Sequence, residues 1–371
     1  MKKTRQLDHQ QCVKCVMDTT DPDIRFDEKG ICNHCHKYAK DNALFNSVSE
    51  RKQALDLLIS RIKKHGESND YDCLIGVSGG VDSTYVAYLV KQLGLRPLAV
   101  HLDNGWNSEL AVMNIENTLN KLGIDLYTHV IDWEEFKDLQ LAFLKASTPD
   151  SEIPSDHAIF SLMRKVAKEQ KIKYIISGIN KRTESHHPGA WSQGHEDWLY
   201  IKSIHKKFGK VKLKTFPHGD WWSFYTSRFS KDWVNILDYI DYVKDDAKKI
   251  LVDKLEWKDY GGKHFESIYT RFFQGYLLPV KFGFDKRKMH LSSLICAGEL
   301  TKAEALDELK SEPYPKQVQN EDKEYVIKKF NLTSEEFDDI MKLPLKTYYD
   351  YPCYPNTLLY KALKRVVTMV K

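Results

Sequence analysis

The sequence predicts an α/β protein: a parallel sheet with helices on both faces, a zinc ribbon before it and a mainly helical region after it. Three observations carry that prediction. Short apolar runs alternate with helical stretches between residues 71 and 177. Four of the seven cysteines fall in the first 35 residues as two CxxC pairs. Beyond about Asn235 the chain reads mostly helical.

The elements follow in order. Residues 1–45 form the cysteine unit. Cys12 and Cys15 are separated by sixteen residues from Cys32 and Cys35, a spacing that suits four thiolates around one Zn²⁺. An iron–sulfur cluster is the alternative. So small a unit, poor in large apolar residues, needs such a staple. A closed zinc site does no chemistry, so the unit reads as a clamp or docking module. His34 and His36 stand beside the last pair as substitutes for a cysteine, with outer or surface roles preferred.

Residues 45–65 read as an amphipathic linking helix with Leu55, Leu58, Ile59 and Ile62 on one face. Tyr71–Val77, Arg96–Asp103, Asp125–Ile131 and Ile172–Ser177 read as strands. Ser83–Leu93, Glu109–Leu122, Glu134–Lys145 and Asp156–Gln170 read as the helices between them, the last opened by Ser155 as a cap. Residues 181–234 are aromatic and basic with little period, and read as an insertion over the site. Ile236–Leu255, Ser267–Leu277, Thr301–Lys310, Lys323–Phe330 and Ser334–Met341 complete the helical region. The expected domains are 1–45, 46–234 (with the insertion from about 181) and 235–371.

Composition limits the function classes. The chain has 371 residues with 42% apolar and 29% charged, which suits a soluble globular protein. Aromatics at 12% and a net charge of +4 do not fit disorder, and give no argument for a nucleic-acid partner. No apolar run approaches the ~18 residues of a membrane span, and no apolar stretch follows the basic start, so neither a membrane segment nor a secretory signal is expected. An odd cysteine count with CxxC spacing suits a reduced, cytoplasmic setting.

The strongest chemical signal is SGGVDS, Ser78–Ser83, between the first strand and its helix. Its glycines let the backbone turn tightly and present N–H groups, and the helix N-terminus adds positive potential. Together they make a socket for a di- or triphosphate. Ser78 and Ser83 offer hydroxyl donors. Asp82 makes sense beside phosphates if Mg²⁺ bridges them. The loop lacks GK[ST] and is not a Walker A loop.

SGGVDS resembles the PP-loop of the ATP pyrophosphatase superfamily, whose members include GMP, asparagine and NAD synthetases and tRNA-thiolating enzymes. The resemblance implies ATP cleavage between the α and β phosphates, with AMP passed to a substrate oxygen. It implies nucleotide contacts from Gly76, Val77, Ser78, Gly79, Gly80, Val81, Asp82, Ser83 and Thr84. It extends them to His101 and Asp103 after the second strand, and to Gly178 and Asn180 after the fourth. Lys286 and Arg287 would return to the pyrophosphate.

The cysteine unit, SGGVDST, His101–Trp106 and Phe282–Thr301 together resemble the N-acetyl sugar amidotransferases of surface-polysaccharide (lipopolysaccharide, O-antigen) biosynthesis. That resemblance implies conversion of the acetamido group of a nucleotide-linked N-acetyl sugar to an acetamidino group. ATP would adenylate the amide oxygen, and ammonia would displace AMP. No glutaminase motif occurs in the chain, since position 2 is Lys2 and no cysteine stands in a G-x-C-x-G context. Ammonia is therefore expected from a partner subunit, and the resemblance implies a glutaminase and a barrel subunit in that role. Cys73 and Cys296 read as core cysteines. Glu184, His186, His187 and His195 read as a base cluster for the ammonia step, set against ordinary surface histidines. Trp191, Trp198 and Trp221–Tyr225 read as a lid or as packing of the insertion. Residues 202–214, with six lysines, read as an anion-attracting stretch or a solvated basic hairpin face. The rival reading is a tRNA-modifying PP-loop enzyme, for thiolation or lysidine-type ligation. A third is a nucleotide-binding scaffold without activity.

Overall fold

The computed structural model describes residues 9–42, 47–222, 225, 232–262 and 265–362. Five parallel strands form one sheet in the order β3-β2-β1-β4-β5. They are β1 (Cys73–Gly76), β2 (Pro97–Asp103), β3 (Asp125–Val130), β4 (Tyr174–Ser177) and β5 (Trp233–Asn235). Cys73 pairs with Pro97 on one side and Tyr174 on the other. The chain therefore leaves β1 toward β2 and β3 and returns on the opposite side for β4. That reversal is the point at which parallel sheets open a crevice at their carboxyl ends.

The central strands are apolar throughout because both faces are covered. Leu74 joins one core cluster while Cys73 and Ile75 join the other, as the two-residue period of a strand requires. The second cluster receives α2 (Val48–Gly66), α3 (Val81–Gln92), α4 (Glu109–Leu122) and α9 (Lys244–Leu255). The first receives α5 (Trp133–Ala146), α6 (Ile153–Glu169), α8 (Trp198–Phe208) and much of the C-terminal region. There Ile268–Phe272 (α10) runs into a π-helical stretch, Phe273–Phe282, ended by Gly283 at φ 74°. Helices α11 (Arg287–Ala297), α12 (Lys302–Glu308), α13 (Lys316–Lys329) and α14 (Ser334–Lys342) follow. Among the described residues no helix is long and apolar enough to cross a membrane.

Several expected boundaries shift, each for a local reason. Helix α6 begins at Ile153, with Pro154 in its first turn. Proline is pre-set for that position, so Ser155 lies inside the helix and takes a hydrogen bond from Asn104 Nδ2 (3.4 Å) instead of capping it. The expected helix Ile236–Leu255 divides into a 3₁₀ turn, Ile236–Tyr239, and α9. Between them Val243 is extended, and Tyr242 is turned to Asp82. The lysine-rich stretch is no hairpin. Its first half is the end of α8 (Asp197 cap, side chain accepting from Tyr200 N–H), and its second half is loop. Strand β5, only three residues long, lies where the helical region was expected to begin. Ser223 and Phe224, in the expected aromatic lid, lie outside the described residues.

The cysteine unit folds as two knuckles and a short helix α1 (Asn33–Asn42). Its backbone is tied to the C-terminal region. Val16 N–H donates to Ser292 Oγ (3.2 Å), Lys302 Nζ to the Cys12 carbonyl (2.6 Å), and Lys288 pairs with buried Asp18.

Candidate functional site

Ser78–Ser83 joins β1 to α3 at the sheet reversal. Gly79 adopts φ 78°, and a Cβ there would meet the Ala111 carbonyl oxygen at 2.4 Å, so the loop requires glycine at this position. From beneath, Trp257 Nε1–H donates to the Gly79 carbonyl (2.9 Å). The loop's own N–H groups point to hydroxyl oxygens: Ser78 N–H to Ser83 (3.2 Å), Gly80 N–H to Ser78 (3.3 Å) and Val81 N–H to Tyr260 (3.1 Å). Phosphate oxygens placed where those hydroxyls sit would receive the same donors, at the positive end of α3.

Asp82 accepts a hydrogen bond from the Tyr242 hydroxyl. Burial, and then the Asp82 charge, push that phenol well above its ordinary range, so it stays a donor. Gly178, after β4, faces Asp82. A Cβ on it would lie 3.1 Å from the Asp82 carbonyl carbon. The two loops expected to share nucleotide therefore meet, and the glycine serves their close approach.

The flanking residues take structural duties. Gly76 and Val77 close β1, with the Val77 carbonyl accepting from His101 Nδ1–H (2.9 Å). His101 is buried and its Nε2 lies 3.1 Å from Asn107 Nδ2. Asp103 accepts from Gly105 N–H (2.9 Å) in a turn. Asn180 is buried and caps a short helix α7 (Lys181–Glu184), accepting from Thr183 N–H (3.0 Å). Thr84 is buried and its N–H donates to the Gly80 carbonyl (3.0 Å).

A cavity of about 500 Å³ is lined in part by Thr183, Lys244, Gly261, Phe265, Lys286 and His290. Tyr260 and Glu266, the sequence neighbours of its Gly261 and Phe265, touch the loop: a Cβ on Gly80 would lie 3.3 and 3.2 Å from their oxygens. Arg287 reaches the same cavity, but its guanidinium is held by Asp285 (2.7 Å) and by the carbonyls of Glu308 and Ser311 (3.3 and 3.0 Å). It is thereby a bracket for α11. Lys286 also lines the cavity, and its charge reaches Glu152 and His187 beyond that lining.

Glu152 had no motif to announce it. Burial raises its carboxyl to about 7 against the opposing charge of Lys286, and it accepts hydrogen bonds from Thr270 Oγ1 and from Gln274 Nε2 (3.5 Å). Beside it runs a chain of polar groups. Asp150 accepts from Ser192 Oγ, Ser192 Oγ lies 2.7 Å from His195 Nε2, and His195 Nδ1 lies 3.0 Å from Asp156. Burial alone would lower His195, but the Asp156 hydrogen bond and the charges of Asp156 and Asp150 outweigh it and raise the imidazole.

The expected histidine cluster therefore splits. His187 and His195 face the acidic residues, while His186 turns to the cysteine unit, its Nε2 3.7 Å from Cys35 Sγ. Cys12, Cys15, Cys32 and Cys35 converge there, with Sγ–Sγ distances of 3.9 Å (Cys12–Cys35) and 3.7 Å (Cys15–Cys32). Four sulfurs about 2.3 Å from one tetrahedral zinc stand roughly 3.8 Å apart, so the donor set fits that ion. His34 and His36 take no part. They pair with Asp21 (2.7 Å) and Asp27 (2.8 Å). Cys73 is core in β1, its thiol pushed up by burial. Cys296 is not core: it lies on α11, 3.6 Å from Cys35 Sγ.

Comparison with known proteins adds two kinds of likeness. Residues 266–366 match the family described as LPS biosynthesis protein WbpG-like, C-terminal domain. Along most of its length the chain is similar to an uncharacterised protein of Methanocaldococcus jannaschii, 24% identical over 321 residues, covering 84% of this chain and 97% of that one. It is also similar to the tRNA-specific 2-thiouridylase MnmA of Clostridioides difficile, 26% identical over 257 residues, covering 57% of this chain and 69% of that one. Among solved structures, NMN synthetase from Francisella tularensis aligns with 81% of this chain and 98% of its own at 16% identity and a TM-score of 0.37.

Proposed function

We propose that this chain is an ATP-utilising enzyme of the PP-loop superfamily that adenylates the acetamido oxygen of a nucleotide-linked N-acetyl sugar and replaces it with ammonia. The observation that carries the reading is the Ser78–Ser83 loop, whose N–H groups converge on hydroxyls at the N-terminus of α3. The sugar class rests on the WbpG-like match, which falls on the segment that supplies Lys286 and much of the cavity.

The chemistry follows from placement. The loop holds the β and γ phosphates, so charge developing on pyrophosphate as it leaves meets fixed donors. Asp82 would hold a Mg²⁺ ion, which would supply positive charge against the phosphates. The amide oxygen bonds to the α phosphorus and the bond to pyrophosphate breaks. Ammonia then adds to the imidate carbon, a proton leaves the nitrogen, and the C–O bond breaks to release AMP. Glu152, which accepts from Gln274 of the cavity wall and whose carboxyl burial raises to about 7, is the group suited to take that proton. The Asp150–Ser192–His195–Asp156 chain would pass it outward. Zinc on the four N-terminal cysteines would act as a staple. A partner glutaminase and barrel subunit would supply the ammonia.

The test is AMP formation from ATP and ammonium salt with a panel of nucleotide-linked N-acetyl sugars. Product carrying the new nitrogen with one sugar supports the reading. AMP formed with tRNA alone would replace it by the tRNA-modifying reading, which the likeness to the 2-thiouridylase favours.

A further inference from the structure

The four-cysteine cluster does not stand alone. Cys35 Sγ, His186 Nε2 and Cys296 Sγ form a second group of donors around one point. Their separations are 3.7 Å (Cys35–His186), 3.5 Å (His186–Cys296) and 3.6 Å (Cys296–Cys35). A tetrahedral zinc with Zn–S of about 2.3 Å and Zn–N of about 2.05 Å sets its donors roughly 3.5–3.6 Å apart for S to N and 3.8 Å for S to S. All three edges match a metal-binding face.

We propose that the chain holds a dinuclear centre, with a second divalent ion bound by Cys35, His186 and Cys296 and the Cys35 thiolate bridging the two metals.

Two further observations support it. First, His186 is oriented as a ligand. It is fully buried, and its other nitrogen, Nδ1, lies 2.9 Å from Ser185 Oγ and 3.3 Å from Ser293 Oγ. Metal-bound imidazoles are held in that way by an outer partner on the second nitrogen. Ser293 also donates to the Met289 carbonyl (3.0 Å) and accepts from His186 N–H (3.2 Å), so it is fixed itself. Second, the charges favour it. Four thiolates around one divalent ion leave two excess negative charges, and a second divalent ion arriving with one more thiolate reduces that excess to one. Binding releases the Cys296 thiol proton to solvent, and no electron moves.

The two sites differ in kind. The first takes all four ligands from the N-terminal unit and is closed. The second takes three ligands from three regions: α1, the stretch after α7, and α11. With three protein ligands, it leaves a fourth position to a solvent molecule. The second ion would join the cysteine unit to the two segments that carry Thr183 and Lys286 to the cavity.

The test needs no turnover. Full-length protein prepared in reductant with zinc, then freed of loosely held ions, should carry about two zinc per chain by elemental analysis. Cys296→Ser and His186→Asn should each carry about one, with unchanged far-UV circular dichroism. Cobalt titration of the metal-free wild type gives a second reading independent of any variant: two successive increments in thiolate-to-metal charge transfer are expected. A single increment, one zinc per chain in wild type, or two zinc ions retained in Cys296→Ser would overturn the proposal. Iron with visible absorption in place of zinc would overturn it as well.

Discussion

At Ser78 and Asp82 the phosphate loop exposes its chemistry to single-atom tests. Ser78→Ala removes a hydroxyl that stands among the loop donors, and Asp82→Asn removes the charge on which a magnesium ion would rest. Each should lower AMP release by about 10²–10³-fold, the usual effect of removing one such contact, with unchanged circular dichroism. Full turnover in both variants would remove the loop from the mechanism. Glu152 gives a pH signature. Its carboxylate forms only above about 7, so turnover should rise with pH to a plateau through that value, and Glu152→Gln should lose the rise. The same shift bears on stability. Burial disfavours the charged form, so the penalty is absent below the ordinary value of 4.5 and complete above about 7. Glu152→Gln should therefore gain melting temperature relative to wild type as pH increases across that window. The SGGVDS turn could be read from local sequence because a glycine-bearing strand-to-helix turn is a local backbone device. Tyr242, Tyr260 and Glu152 could not, since each reaches the site from a distant segment with no fixed spacing. His186 and His187 were legible as interesting but not as divided, because adjacent side chains point to different neighbourhoods.

Among the elements, the contact between the loops after β1 and β4 sets a steric limit. Gly178→Ala places a methyl 3.1–3.2 Å from the backbone and Cβ of Asp82. The expected result is weakened nucleotide binding with α3 displaced, read as a several-fold rise in KM for ATP and little change in melting temperature. Gly79→Ala is harsher, since its Cβ would meet the Ala111 carbonyl at 2.4 Å in a left-handed backbone. It should cost more than about 2 kcal/mol of stability, measured by denaturant unfolding. The central strands were visible because burial on both faces makes them uniformly apolar. Strand β5 was not, since Trp233–Asn235 is too short for any period to show. The break before α9 was hidden for a related reason: Tyr242 is apolar enough to continue a helical pattern, yet its hydroxyl is drawn to Asp82.

Across the whole molecule, the N-terminal unit is bonded to the region that carries the cavity. Val16, Cys12 and Asp18 are held by Ser292, Lys302 and Lys288. Removing metal with a chelator should therefore do more than unfold about 40 residues of sequence. It should loosen α11, lower the melting temperature of the full chain, and reduce AMP release in parallel with metal loss. Activity unaffected by complete metal removal would show that the unit serves only to dock a partner. The cysteine spacing announced the four-thiol cluster that the fold assembles. The attachment to α11 depends on contacts between segments some 270–290 residues apart, which no local pattern encodes.

The hydroxyl of Tyr260 rests on the Val81 N–H, a donor that the proposed triphosphate would need. Its ring lies edge-on to Trp257, whose indole grips the loop from below. On the proposed reading, a nucleotide would claim that donor by displacing the tyrosine hydroxyl, and capture would include that unseating event. Stopped-flow indole fluorescence should accordingly reach a concentration-independent ceiling in wild type. Tyr260→Phe, with nothing to evict, should show no such ceiling.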